Sequence, residues 1–426
     1  MKWIVKPSKL SGDIWVPPSK SHTIRALLIA TLAEGVSKIT GALTTGDGAS
    51  AVGAAKSMGA RIEERGGALF ITGVGGDYDS GSADFAMGNS GTSTNLFSSA
   101  AALGSKPRRF DGDDSLRSRP VRPILEALRQ LGAQYTIEGP DRDLPFSITG
   151  PLKGGEVTVD GISSQFVSSL LFSCPLIKND TVINVINLHE KPYVEMTLWW
   201  LDKQGIRYEK NGDLTYFKIY GNQKYLPIDM LIPGDFSSAT FPAIAAAICG
   251  SGVTVRGIDF SDPQGDKRIF DILADMGAVL HKEKTSVTIS GQNAVSGGKV
   301  DLNTMPDALP AVAVLGCLAS GITRIVNVAH ARIKETDRIK VMVGELKKMG
   351  ADIQEEEAGL TVRQSVLFGA RVNGHDDHRV VMALAIAGMA ARGETIIDTA
   401  QSAGVTYPGF VEDFKKLGAN IQETAD

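Results

Sequence analysis

The sequence predicts an α/β protein of two domains, assembled from six copies of one βα unit of about 70 residues. Three observations carry this: a glycine-ended phrase that recurs six times, a family of apolar helices that alternates with it, and a length of 426 residues, too great for one ordinary core.

The recurring phrase is an amphipathic run closed by Gly and followed by a short alternating strand. It reads AAKSMGARIE, EALRQLGAQYTI, LWWLDKQGIRYE, DILADMGAVLHK, GELKKMGADIQ and EDFKKLGANIQ. Its glycines, Gly59, Gly132, Gly205, Gly277, Gly350 and Gly418, are spaced 73, 73, 72, 73 and 68 residues apart. Gly is what a left-handed helix C-cap requires at that place. The alternating segments are SKSHTIRALLIATLA, GNSGTSTNLFSSAAALG, SSQFVSSLLFSCPL, GDFSSATFPAIAAAI, MPDALPAVAVLGCLA and DDHRVVMALAIAGMAA. Each opens on a polar or small-residue turn and continues apolar on every side, as a helix buried all round does. β-Hairpins are expected around them, for example at TVRQSVLFGARV.

If the buried helices pack with their starts together, six N-termini share a face, each with roughly half a positive charge and unpaired N–H groups. Ser, Asp and Asn at one such start would be read as N-caps and nothing more. Six in register argue for a shared anion site. The net charge of −4, from 44 Lys and Arg against 48 Asp and Glu, gives no reason to expect nucleic acid or an anionic membrane as partner. The apolar runs 310–322 and 380–391 fall short of the roughly 20 residues that span a bilayer. MKWIVKPSKL has no signal-peptide core, so a cytoplasmic enzyme is expected. Cys174, Cys249 and Cys317 sit among small apolar residues and read as buried reduced thiols.

Two short motifs have competing readings. In KETDR, Lys334 and Arg338 are four apart and Glu335 and Arg338 three apart, so a helix would put them on one face, either a catalytic set or a solvated ion-pair face. HDDH at 375–378 invites a metal, but the other histidines are scattered and no Cys is near. Asp377 reads more simply as an N-cap, with His378 and Arg379 in the first helical turn.

Ten blocks in order, PPSKSHTIRALL, GNSGTS, GDDSLRSRP, SSQF, KPYVEMTL, PGDFSSA, MPDA, RIKETDRI, DDHRVVMA and YPGF, make the chain resemble the enolpyruvyl transferases over nearly its full length. The resemblance implies an inside-out α/β barrel fold of two domains with three repeats each, closing on substrate between them. Residues 19–233 would form the first domain, and 1–16 with 236–426 the second. A two-strand hinge would lie near 17–20 and 232–235, and the opening strand KWIVKP would belong to the second domain. The implied reaction moves the carboxyvinyl group of phosphoenolpyruvate to the 5-hydroxyl of shikimate 3-phosphate by addition and elimination. No metal or other cofactor is implied, and a monomer is expected.

By the same resemblance, Asp307 and Glu335 match carboxylates that transfer protons, and Lys20 a lysine shared by both substrates and counted with them as catalytic. Arg119, Arg338 and Arg379 match arginines that clamp phosphoenolpyruvate, whose carboxylate and phosphate suit guanidinium forks. Asn89, Gly91 and Thr92 lie where phosphoenolpyruvate approaches backbone, with Gln165 also in contact. Ser21, Arg25 and Tyr193 match acceptor-binding positions, Ser163, Ser164 and Gln165 the segment for its phosphate and ring, and Asp307, His330 and Lys334 further acceptor contacts. Glyphosate mimics phosphoenolpyruvate in this family, and the unobstructed Gly91 implies sensitivity to it.

Four positions depart from the pattern of common bacterial members. Asn95 stands for an arginine, Val405 for a lysine, His330 for an asparagine and Glu190 for a serine. The His330 and Val405 forms resemble an archaeal-type branch. An ionised Glu190 beside a phosphate costs on the order of 1 to 4 kcal/mol, so its carboxylate is expected to turn away. The other reading is an acceptor without phosphate at that point. Transfer to a UDP-amino sugar, the sister activity, usually goes with a cysteine on the loop matched by Asp113 to Arg119, and none is present. A non-catalytic protein on this scaffold would be expected to lose Asp307, Glu335 or the arginine clamp, which all persist.

Overall fold

All six repeat glycines adopt the left-handed backbone their position calls for, with φ of 107°, 102°, 65°, 100°, 89° and 103° in chain order. The computed structural model describes residues 1–290 and 295–425. Twelve helices of two or more turns alternate in kind among them. The odd-numbered ones are buried on all sides: α1 (Lys20–Leu32), α3 (Gly91–Ala101), α5 (Ser164–Ser173), α7 (Phe236–Cys249), α9 (Leu309–Leu318) and α11 (His378–Ala390). The even-numbered ones bury one face: α2 (Gly46–Met58), α4 (Arg122–Gln130), α6 (Lys191–Lys203), α8 (Ile269–Asp275), α10 (Arg338–Lys348) and α12 (Phe410–Lys416). In α4, for example, Ile124, Leu125, Ala127 and Leu128 face inward while Arg129 stays out, the 3.6-residue stripe of an amphipathic helix.

The strands repeat as faithfully. Among the described residues there are six four-stranded sheets, each built as one parallel pair extended by two antiparallel pairings. In one of them Gly155–Asp160 runs parallel to Thr181–Ile186, with Val157 opposite Ile183, and Tyr216–Ile219 and Tyr208–Lys210 follow antiparallel. Thr181, Ile183 and Val185 point inward and their neighbours outward, the period of two that leaves one face of a sheet on the core.

The chain divides into two compact units, Lys20–Ile232 and Met1–Ser19 with Pro233–Asp426. Each has its own apolar core around its three buried helices. Two N-terminal strands complete sheets of the discontinuous unit. Lys2–Lys6 lies between Thr395–Asp398 and Asn420–Thr424, and Leu10–Trp15 runs parallel to Gly250–Arg256. In the other unit Asp229–Leu231 completes the sheet begun by Val36–Thr40.

Two sequence expectations fail locally. TVRQSVLFGARV is not a hairpin: Gly359–Arg363 pairs with the preceding Asp352–Glu356, whereas Arg371–Asn373 joins a different sheet. Strand alternation alone could not tell which neighbour supplies the partner. KETDR is not one helical face either, since α10 begins only at Arg338. Asp337 caps it by accepting the Lys340 N–H at 3.0 Å and pairs with Arg332 at 2.8 Å, which stops the helix from running back to Lys334.

Candidate functional site

Four of the six buried helices begin at a side-chain cap: Ser90 accepts from the Ser93 N–H, Ser163 from Gln165, Asp235 from Ser238 and Asp377 from Arg379. The capping reading is therefore right as far as it goes. Within each unit, further side chains tie the helix starts to one another.

In Lys20–Ile232, Lys20 opens α1 and its Nζ lies 3.2 Å from Asp47 Oδ2 in the first turn of α2. The Asp47 carbonyl accepts from Ser93 Oγ of α3 at 3.3 Å. From the start of α5, Gln165 Nε2 donates to Thr92 Oγ1 at 3.1 Å and its Oε1 accepts from Asn95 Nδ2 at 2.7 Å. Arg119 donates to the Asn89 side-chain carbonyl and, at 3.2 Å, to Ser115 Oγ. Gly91 lets Arg119 pack against the helix start: a Cβ there would sit 3.1 Å from Arg119 Nη1 and 3.8 Å from Gln165 Oε1. These contacts gather Lys20, Asn89, Gly91, Thr92, Arg119 and Gln165.

Arg25 lies deeper and is turned to the protein. Its Nε donates to Thr197 Oγ1 at 3.0 Å, Nη1 to the Ser21 carbonyl and Nη2 to the Tyr193 carbonyl, both at 3.1 Å. Burial pulls its pKa down to about 10, so it remains a cation at neutral pH. It links Ser21 on α1 to Tyr193 on α6 through main chain.

Ser163 caps α5, and Ser164 opens it. Contrary to the expectation, the Glu190 carboxylate is turned inward: Oε2 accepts from Ser164 Oγ at 2.8 Å and from the Ser164 N–H at 3.3 Å. Glu190 is only 2% exposed and takes a left-handed backbone at φ 54°. The start of α5 favours an anion, and this carboxylate is one that the chain itself supplies.

In the other unit one arginine gathers three carboxylates. Arg338, wholly buried, donates from Nη1 to Asp307 Oδ1 at 2.6 Å, from Nη2 to Glu335 Oε2 at 2.7 Å, and from Nε and Nη2 to Asp377 at 2.8 and 3.2 Å. Burial alone would lower its pKa, but Asp377, Glu335 and Asp307 together hold it well above the ordinary value. Arg379, in the first turn of α11, donates to the other oxygen of Asp307 at 3.3 Å, lies 4.0 Å from Asp235 and stacks over the Phe241 ring. The starts of α7, α9 and α11 thus meet through Asp235, Asp307 and Arg379. His330 is buried in the 3-10 turn Ala329–Ile333, and Lys334 follows it directly before Glu335.

Sequence reasoning missed Asp47 as the partner of Lys20 and read Asp377 only as a cap. Both are acids in or before a helical first turn, which is the signal that could have marked them. His375 Nε2 pairs with Glu345 at 2.9 Å and Asp377 with Arg338, so HDDH is committed to protein contacts. Among the described residues no three His, Cys, Asp or Glu are grouped to hold a metal ion. Burial pushes all three thiols up to about 12, leaving them protonated and poorly nucleophilic at neutral pH. No helix among the described residues is long and apolar enough to cross a membrane.

The arrangement offers neutral donors and cations in one unit, and an arginine–carboxylate cluster able to bind anions and exchange protons in the other. Comparison with known proteins gives a family. A family model described as EPSP synthase (3-phosphoshikimate 1-carboxyvinyltransferase) matches residues 4–414. A 3-phosphoshikimate 1-carboxyvinyltransferase from Acetivibrio thermocellus is 49% identical over 417 residues, covering 98% of each chain. One from Methanocella arvoryzae is 44% identical over 423 residues, covering 98% of this chain and 99% of its own. A solved EPSP synthase from Acinetobacter baumannii superposes with a TM-score of 0.83 at 27% identity, over 99% of this chain and 100% of that one.

Proposed function

We propose that this chain, which belongs to the EPSP synthase family, transfers the carboxyvinyl group of phosphoenolpyruvate to the 5-hydroxyl of shikimate 3-phosphate, releasing phosphate. This is the shikimate-pathway step toward chorismate and the aromatic amino acids. The observation that supports the reaction most is the Arg338 cluster, where Asp307 and Glu335 share one buried guanidinium at 2.6 and 2.7 Å. As the hydroxyl oxygen bonds to the phosphate-bearing carbon, addition needs a proton delivered to the methylene carbon and one removed from the hydroxyl; elimination takes a proton back from the methyl group as phosphate leaves. Carboxylates beside an arginine can do both.

The carboxylate and phosphate of phosphoenolpyruvate take bonds from Arg119, Arg338 and Arg379, with Lys20 serving both substrates. A polyanion arriving next to Asp307 and Glu335 raises their proton affinity by like-charge repulsion, which favours the acid form that protonation of carbon requires. The acceptor is held by Ser21, Ser163, Ser164, Gln165 and Tyr193, with Arg25 positioning Tyr193, and by His330 and Lys334. The chemistry calls for both sets of residues to act on one pair of substrates. Addition and elimination call for neither metal nor organic cofactor, and we take the enzyme to be a cytoplasmic monomer.

The test is Glu335→Gln in purified protein. Phosphate release should be lost while binding of shikimate 3-phosphate stays measurable by calorimetry; full turnover in the variant would overturn the assignment.

A further inference from the structure

We propose that Glu190 is an internal rival for the phosphate of the acceptor, and that it thereby sets how strongly the enzyme prefers a phosphorylated acceptor. The inference rests on the reaction proposed above. Its carboxylate already occupies donors at the start of the ten-residue helix α5, the Ser164 hydroxyl at 2.8 Å and the Ser164 N–H at 3.3 Å. Those are the donors offered to the acceptor phosphate in that reaction. A hydroxyl can turn to serve either oxygen, but two anions cannot share the same N–H and O–H.

Three features show that this placement is built into the fold. Glu190 is 98% buried, with 2% of its surface exposed. Its left-handed backbone, φ 54°, is uncommon for a residue other than Gly, Asn or Asp, and it aims the side chain back from the start of α6 to the start of α5. The Tyr193 N–H donates to the Glu190 carbonyl at 3.0 Å, and the Tyr193 carbonyl is in turn held by Arg25, so the segment from Glu190 into α6 is anchored on both sides. When phosphate is seated, the carboxylate leaves Ser164 by side-chain rotation. Its departure is a cost charged only to acceptors that carry an anion at this point.

Glu190→Gln and Glu190→Ser test this in the full chain, with the affinities for shikimate 3-phosphate and for unphosphorylated shikimate measured by calorimetry without phosphoenolpyruvate. Both variants should bind shikimate 3-phosphate at least about five-fold more tightly, while shikimate changes by less than about two-fold, widening the preference for phosphate. A merely structural role would move both ligands together. Unchanged or weaker binding of shikimate 3-phosphate, in variants that keep the wild-type melting temperature, would overturn the proposal. Should neither variant fold, a crystal structure of the wild type with shikimate 3-phosphate decides: the carboxylate should lie beyond hydrogen-bond distance of Ser164 Oγ, and a retained bond would contradict it. If the wild type releases no phosphate from the two substrates, the reaction itself fails. Turnover with unmoved acceptor affinity refutes the role of Glu190 alone.

Discussion

The two units are built from the same repeat yet present opposite chemistry at their helix starts. In Lys20–Ile232 the starts of α1, α3 and α5 carry Lys20, Thr92, Asn95, Ser164 and Gln165, mostly neutral donors with few charges. In the discontinuous unit the corresponding starts carry Asp235, Asp307, Asp377 and Arg379, with Arg338 bound among them. One set can hold anions and has little to move a proton with. The other can move protons, and its arginines already donate to its carboxylates, so an arriving anion must compete with them. A repeated scaffold thus supplies the same N–H groups at every start, and the side chains decide what each group of starts does.

The sharpest way to break that contrast is to neutralise the acids. Asp307→Asn should lower kcat by about 10²- to 10⁴-fold with a much smaller change in acceptor binding, read by phosphate release and calorimetry. Arg338→Met should also cost stability, about 3 to 5 kcal/mol by denaturant unfolding, because Asp377 and its neighbours would be left buried without their cation. Arg119→Met should cost far less stability, since Arg119 is half-buried and donates to the neutral side chains of Asn89 and Ser115.

Smaller effects sharpen the picture of the first unit. Gly91→Ala places a Cβ 3.1 Å from Arg119 Nη1, so Arg119 must shift. The KM for phosphoenolpyruvate should rise roughly ten-fold, about 1.4 kcal/mol, and glyphosate should inhibit the variant less than the wild type. Gly132→Ala, at φ 102° and remote from these groups in the chain, should cost about 1 to 2 kcal/mol of stability and leave both KM values alone.

What could be read from the sequence was local. The six glycines, the apolar helices and the cap at Asp377 follow from the preferences of single turns. Pairings across distance did not. Arg338 meets Asp377 39 residues on and Asp307 31 residues back, and nothing in KETDR, once its helix proved to start later, named either partner. Glu190 could be recognised as a charge out of place, but its direction depends on a contest between solvent and the donors of α5. Burial and the Ser164 bonds decide that contest in favour of α5.

The central claim is that these two kinds of helix start serve one transfer between two anions. Phosphate release by the purified protein, measured with phosphoenolpyruvate alone, with shikimate 3-phosphate alone and with both, tests it most directly. The account predicts phosphate only when both are present, one for each acceptor consumed. Release from either substrate alone at the same rate, or none from the pair at concentrations far above micromolar, would contradict it.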